Sequence, residues 1–373
     1  LSEQAPTIAT ATLANIQEQL VPWYRANHRP LPWRDNPDPW WIWVSEVMSQ
    51  QTRIDTVIPY FHRFIDRFPT LTELASADIQ DVLHLWQGLG YYSRARNLHA
   101  GAQYVVKRFG GTLPASADQL LTVPGIGPYT AGAIASTAFG ERAPLVDGNV
   151  MRVLARLFHI TDDIRSTRTQ KQFWAIARLL VDIDHPGDLN QGLMELGATI
   201  CTPANPTCLL CPLADICEAR QRGTTATVPF KSKAKKQREE TWLALRIERP
   251  DGSLLLCQRP DTGLWSGLWE WPMVALPAST EPAELLARLN LPATFDADAP
   301  PVRHVLSHIV MTVYAATLAA TDAATIEQVE TLIAGMQTTY ATSKWWHPGD
   351  GGPPPSSVLA NKLANKLAAV ADG

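Results

Sequence analysis

Leu121–Asn149, LTVPGIGPYTAGAIASTAFGERAPLVDGN, is the stretch around which the chain is organised. Val123-Pro124-Gly125-Ile126-Gly127 is too glycine-rich to be helical, and Pro124 ends whatever helix comes before it. Gly125 and Gly127 permit positive φ and the close approach of another backbone. A helix-compatible run of Ala, Thr, Ile and Gly follows from Tyr129 to about Phe139. The free N–H groups of the turn and of the next helix point one way, forming a backbone anion site suited to a phosphate. Asp147 then stands in an Asp-Gly turn, where it can cap the run Val150–Phe158.

The chain has 373 residues, 46% of them apolar, which is enough for two domains, each with its own core. A formal charge of −4 excludes a uniformly basic DNA-coating protein and leaves room for a local basic face. No apolar run reaches membrane-spanning length, and the N-terminus lacks a signal peptide's charged start and apolar middle. A cytoplasmic protein without a membrane partner is expected.

Four of the five cysteines fall within seventeen residues, Cys201, Cys208, Cys211 and Cys217, spaced C-x6-C-x2-C-x5-C. Bunched cysteines in an intracellular chain favour a metal site over disulfides. Zinc ribbons tend to have two close C-x2-C pairs, and here only the central pair is close. Four thiolates at this spacing suit a [4Fe–4S] cluster, with zinc as the alternative. Cys257 stands alone.

Upstream, residues 1–29 read as a helix with Ile16, Leu20, Trp23 and Tyr24 as its buried stripe. The run Trp40–Thr52 gives a helical apolar face of Trp43, Val44, Val47 and Met48. Glu46 lies among them: desolvated there, its carboxyl pKa rises as a general acid requires, while the helix pattern alone equally fits an exposed Glu on an amphipathic helix. Gly88–Leu98 sets two glycines, two tyrosines and two arginines in one loop, a mixture suited to base stacking and phosphate contact and equally to two tyrosines packing a helix start.

The basic stretch 219–240, with Lys231, Lys233, Lys235, Lys236 and Arg238, divides the chain into a first domain, 1–218, and a second, 241–373. In the second, Trp242–Ile247 and Ser253–Gln258 read as strands about a Pro250-Asp251-Gly252 turn, and the tail Val358–Val370 reads as a helix.

Hydrophobic, Pro-Gly-hydrophobic-Gly and Thr-Ala, with a downstream Asp, resemble the helix-hairpin-helix of base-excision DNA glycosylases. Ser45-Glu46-Val47-Met48-Ser49-Gln50-Gln51-Thr52 followed by Thr56–Phe64 is similar to the most distinctive string of the MutY-type adenine glycosylases. Gly263–Pro272 resembles the loop entering a Nudix active site, but Glu281 and Glu284 alone cannot supply the glutamate cage that holds magnesium there. The resemblance covers about residues 16–365. It implies a mainly α helix-hairpin-helix glycosylase domain with a [4Fe–4S] cluster, followed by an α+β Nudix-like domain that reads 8-oxoguanine. It also implies a monomer acting on double-stranded DNA that carries A:8-oxoguanine or A:G mispairs.

Carried onto this chain, the resemblance makes Glu46 the proton donor to adenine, and Asp147 the carboxylate that stabilises the sugar cation. Tyr129 and Asn149 hold that pair, Arg34 and Glu195 contact adenine, and Gln51, Thr52, Leu89 and Tyr91 form a wedge around the opposite base. Gly125 and Gly127 belong to the DNA-binding hairpin. Ser307 and His308 match the lesion-reading turn, where Leu306 replaces the family's Phe. Met151 stands where many relatives have Lys. An endonuclease III-like glycosylase and lyase shares the hairpin, the Asp and the cluster, but lacks the second domain and the SEVMxQQT string. A non-catalytic lesion-binding or redox-sensing protein has no use for both Glu46 and Asp147.

Overall fold

The computed structural model describes residues 8–34, 36–233, 236–277, 280–295, 299–350 and 352–371. Its helices in chain order begin with α1 Thr10–Asn27, α2 Pro39–Ser49, α3 Ile54–Arg67, α4 Leu71–Ser76, α5 Ile79–Trp86 and α6 Ser93–Phe109. Then come α7 Ala117–Leu120, α8 Pro128–Phe139, α9 Gly148–Leu157, α10 Thr167–Leu180, α11 Pro186–Thr199 and α12 Glu218–Gln221. The strands and helices of the remainder are β1 Arg238–Glu248, β2 Leu254–Gln258, β3 Trp269–Glu270, β4 Met273–Ala275, α13 Pro282–Leu289 and β5 Thr294–Phe295. They end with β6 Val302–Val305, β7 Ile309–Ala319, α14 Ala323–Ala334, β8 Thr342–Trp346 and α15 Val358–Ala371. The chain forms two compact units, one of residues 1–77 and 97–233, the other of 78–96 and 234–373.

In the first unit, local chemistry sets the helix ends. Asp38 caps α2 by accepting from the Trp40 N–H at 2.7 Å, and Pro39 takes the first helical position, where no N–H is needed. α8 is packed on nearly all sides, burying Thr130 through Ser136, because its small residues let other backbone come close. A Cβ on Gly132 would lie 2.0 Å from the Pro144 carbonyl oxygen, so Gly132→Ala cannot be accommodated without moving backbone. One core joins α1, α9, α10 and α11 through Ile16, Leu20, Val150, Val153, Leu154, Phe173, Leu189 and Leu193. Val21, not Trp23, completes the buried stripe of α1; Trp23 is partly exposed and packs at the core's margin.

The hairpin uses its two glycines differently. Gly125 has φ +83°, and a Cβ there would lie 2.7 Å from Asn97 Cβ. Gly127 has φ −94° and nothing within 4 Å of its would-be Cβ. It serves as the N-cap of α8, where a bare backbone leaves the helix end open.

The stretch 219–240 is only in part a connector. α12 and the residues after it pack on the first unit, burying Ala219 and Val228, and the Ser232 N–H donates to Asp163 at 3.3 Å. These apolar side chains hold it down despite the lysines that follow. β1 is already under way at Arg238.

The second unit is built on a mixed sheet in which β1 runs parallel to β7 over its full length, Arg238 opposite Ile309 to Glu248 opposite Ala319. Period-two alternation gives the sheet two buried faces. Leu243, Leu245, Ile247, Ala316 and Leu318 meet α13 and α14 on one side. Ala244, Met311 and Val313 meet Trp269, Trp271 and the Leu359 and Leu363 of α15 on the other. Glu284 pairs with Arg288 at 2.6 Å on exposed α13.

α5 and the loop to α6 belong to this second unit. Gly88, Gly90 and Tyr91 take φ of +96°, +77° and +50°. Tyr91 is exposed while Leu89 is buried. The Arg94 guanidinium lies over both the Trp86 and Tyr91 rings. The Tyr92 hydroxyl donates to the Ser356 carbonyl at 2.9 Å, and Arg96 Nε to the Ser266 carbonyl at 3.1 Å.

Candidate active site

A cavity of about 540 Å3 opens in the first unit, within the range of ligand pockets. Glu46 from α2, Tyr129 from α8, and Asp147 and Asn149 from the start of α9 line it together. Arg34, Gln51, Thr52 and Glu195, all anticipated from sequence, share its wall.

The two carboxyl groups are held differently. Glu46 Oε2 accepts from the Tyr129 hydroxyl at 2.5 Å. Burial pushes its pKa up to about 7; the Tyr129 hydrogen bond opposes this, the Asp147 charge adds to it, and Arg34 opposes it. Asp147 caps α9 by accepting from the Val150 N–H at 2.7 Å, and its other oxygen accepts from Asn149 Nδ2 at 2.9 Å. Burial raises Asp147 as well, which its N-cap position alone did not suggest; the Val150 and Asn149 donors and the Arg152 charge oppose that rise. Asp147 therefore has fixed donors and a helix N-terminus to hold negative charge. Glu46 has one phenol, which can turn, so a proton shared between the two carboxyls favours Glu46.

Behind Asn149 lies a residue that sequence inspection missed. Arg152 donates to Asn149 Oδ1 at 2.8 Å, to the Gly197 carbonyl at 2.7 Å and to the Cys201 carbonyl at 2.7 Å. Its place one turn after Asn149 on α9 is the only sequence signal for it. A Cβ on Gly197 would lie 2.6 Å from Asn149 Cβ, so α11 presses directly on this link.

Arg34 and Glu195 are not free groups aimed at the cavity. Glu195 is fully buried and takes both oxygens' worth of donors from Arg29, at 2.7 and 2.9 Å, plus Arg34 at 2.8 Å. Burial alone would raise its pKa, but the Arg29 and Arg34 hydrogen bonds outweigh it and bring the carboxyl down to about 2. Arg34 also donates to Gln191 Oε1 at 3.0 Å. Arg29, Gln191 and Met194 line the cavity without any motif to announce them.

Cys201, Cys208, Cys211 and Cys217 are all free thiols in one loop after α11. Burial pushes Cys211 up to about 11, and proximity to the other three sulfurs adds to that. Arg156 aims an N–H at Cys201 Sγ from 3.3 Å and donates to the Thr202 and Pro203 carbonyls, tying the loop to α9. Among the described residues, no His, Cys, Asp or Glu trio converges on a single-ion site.

Gly125 and Gly127 lie in the hairpin before α8. Leu89, Tyr91, Ser307 and His308 lie in the second unit. Ser307 and His308 form a two-residue turn closed by Leu306 N–H to the Ile309 carbonyl at 2.8 Å, with Ser307 Oγ 3.2 Å from His308 Nδ1. Both are exposed, whereas Leu306 leans on the core beneath.

Residues 44–178 match the family described as HhH-GPD superfamily base excision DNA repair protein, and residues 243–350 match the NUDIX domain. A thermostable thymine-DNA glycosylase superposes with a TM-score of 0.50 at 26% identity, covering 57% of this chain and 99% of that one. A helical hairpin set beside a cleft with two differently held carboxyls is the architecture of a base-excision DNA glycosylase. The adenine DNA glycosylase of Mus musculus is 39% identical over 367 residues, 83% of this chain and 71% of the relative. That of Homo sapiens is also 39% identical, over 81% of this chain and 66% of the relative, and that of Arabidopsis thaliana is 40% identical over 74% and 49%. The chain thus spans from about half to about 70% of these relatives' lengths. It belongs to the adenine DNA glycosylases, enzymes of base excision repair.

Proposed function

We propose that this chain excises adenine mispaired with 8-oxoguanine or guanine in double-stranded DNA and leaves an intact abasic site. The observation that carries the proposal is the pairing of Glu46, raised to about 7, with Asp147, held by fixed donors, in one cleft.

Adenine inside a duplex is out of reach, so it must be flipped out of the stack into the cleft. Glu46 donates its proton to N7 of the base, and the C1′–N9 bond breaks with its electron pair going to the base. Positive charge appears on the sugar beside Asp147, whose carboxylate stabilises it. Asn149 fixes the orientation of that carboxylate, and Tyr129 that of Glu46. Arg34 and Glu195 act as a rigid wall of the base pocket, since each is already engaged. The hairpin at Gly125 and Gly127 offers backbone N–H groups to a phosphate. Gln51, Thr52, Leu89 and Tyr91 serve as the wedge, and Ser307 and His308 read the opposite base.

Water completes the reaction. A lyase needs an amine to form a Schiff base, and no lysine occurs between Lys107 and Lys171. Tyr129 holds the position two residues past the hairpin's second glycine. Cys201, Cys208, Cys211 and Cys217 would hold a [4Fe–4S] cluster, which would order their loop and brace α9 through Arg156 and Arg152.

The test is incubation with duplexes containing A:8-oxoguanine, A:G and thymine glycol. Abasic sites opposite 8-oxoguanine and guanine are expected. Loss of thymine glycol with adenine untouched would overturn the proposal.

A further inference from the structure

Tyr129 has two acceptors for one proton. Its hydroxyl lies 2.5 Å from Glu46 Oε2 and 3.3 Å from Met194 Sδ. Met194 comes from α11, lines the cavity and is partly exposed there. A thioether sulfur accepts a hydrogen bond only weakly, and an ionised carboxylate accepts strongly. The two therefore compete on unequal terms that depend on the state of Glu46. This inference rests on the adenine-excising function proposed above and concerns how its acid is set.

We propose that Met194 is a positioning residue whose sulfur holds the Tyr129 proton while Glu46 is in its acid form, and releases it to Glu46 as the carboxylate appears. With Glu46 protonated, Tyr129 turns its O–H to Met194 Sδ, so that no hydrogen bond from the phenol favours the carboxylate and the Glu46 proton stays free to face the base. When Glu46 passes that proton to N7, its Oε2 becomes the stronger acceptor. The Tyr129 O–H then swings back, and the hydrogen bond strengthens only as charge develops. A bond made in the transition state but not the ground state lowers the barrier, whereas one present in both does not. Without the sulfur, Tyr129 has Glu46 as its acceptor throughout and favours the ionised form beforehand.

Besides Tyr129 on α8, the groups facing Glu46 are fixed: Asp147 from the start of α9 and Arg34 from the loop before α2. On α11, the Glu195 charge is held by Arg29 and Arg34. A change at Met194 reaches Glu46 through the Tyr129 hydroxyl.

The experiment compares Met194→Leu, which keeps volume and removes the acceptor, in the native and Tyr129→Phe backgrounds. Glu46 is titrated directly in the DNA-free protein by carbon-13 carboxyl NMR, its signal assigned by loss in Glu46→Gln. The midpoint is expected to fall by about half a unit in Met194→Leu, the scale of one weak hydrogen bond. It should not move when Leu replaces Met194 in the Tyr129→Phe background. In single-turnover excision, the loss caused by Met194→Leu should then be about threefold larger at pH 8 than at pH 5.5. An unmoved midpoint, or an equal shift with Tyr129 gone, overturns the role of Met194. A native protein that excises no adenine while its Glu46 midpoint shifts as stated overturns the adenine function and leaves the Met194 link standing.

Discussion

Arg152→Leu should disable excision from outside the cleft. Arg152 makes three hydrogen bonds of 2.7 to 2.8 Å, to Asn149 Oδ1, the Gly197 carbonyl and the Cys201 carbonyl. Bonds from a charged donor contribute about 1.5–3 kcal/mol each and are not additive in one network. A total cost of about 3–5 kcal/mol is expected, the upper end of single substitutions. Chemistry suffers separately. Asn149 loses the anchor for its side chain, so Asp147 loses a fixed donor on one oxygen. It also loses the Arg152 charge that holds its pKa down. Removing one donor to a developing or required charge costs roughly 10²-fold. The assay is single-turnover release of adenine at saturating enzyme and low temperature, with the folded fraction fixed by circular dichroism. Iron per chain is measured on the same sample. Folded Arg152→Leu that excises within threefold of the native rate would refute the claim that Arg152 orients Asp147 through Asn149.

Three further outcomes follow from the same geometry. Excision should fall as pH rises through about 7, by up to tenfold per unit above it, because burial raises Glu46 and only its protonated form donates; a flat single-turnover profile from pH 5 to 9 would contradict this. Glu195→Gln should cost about 3–5 kcal/mol at pH 7, since it leaves two arginines beside a neutral buried partner. A depressed carboxyl pKa stabilises the fold above the unfolded value near 4.5 and loses that contribution as pH falls toward about 2. The gap between the urea curves of native and variant should therefore narrow over that window, and a gap constant down to pH 2.5 would count against the ion pair. Borohydride added during turnover should trap little protein on DNA, given the absence of lysine from 108 to 170; efficient trapping would show that an amine is used.

What could be read in advance were features encoded locally. The helix pattern of α2 alone fits an exposed Glu46 as well as a buried one, and an N-cap Asp147 is by itself only a cap; both stood out through the longer strings Ser45–Thr52 and Val123–Asn149 that carry the resemblance. Gly125 was legible through the turn it makes. Gly127 was not, since an N-cap glycine and a positive-φ glycine look alike in sequence. Arg29 and Met194 escaped because their partners are far along the chain, Glu195 166 residues on from Arg29 and Tyr129 65 residues back from Met194; two of the three acceptors of Arg152, the Gly197 and Cys201 carbonyls, are likewise 45 and 49 residues on. Trp23 and Val21 exchanged places on α1 because hydrophobicity names a stripe but not which large ring the core admits. The engagement of Glu195 by two arginines depends on α11 meeting the chain before α2, which no window of sequence contains.

The central claim is that Glu46 supplies the proton that releases adenine. The most direct measurement is the single-turnover rate of adenine release from an A:8-oxoguanine duplex by Glu46→Gln, with duplex affinity measured alongside. General acid catalysis contributes about 10²–10⁴-fold, so at least that loss is expected while mispair binding persists. Adenine release by folded, DNA-bound Glu46→Gln at near the native rate would contradict the account.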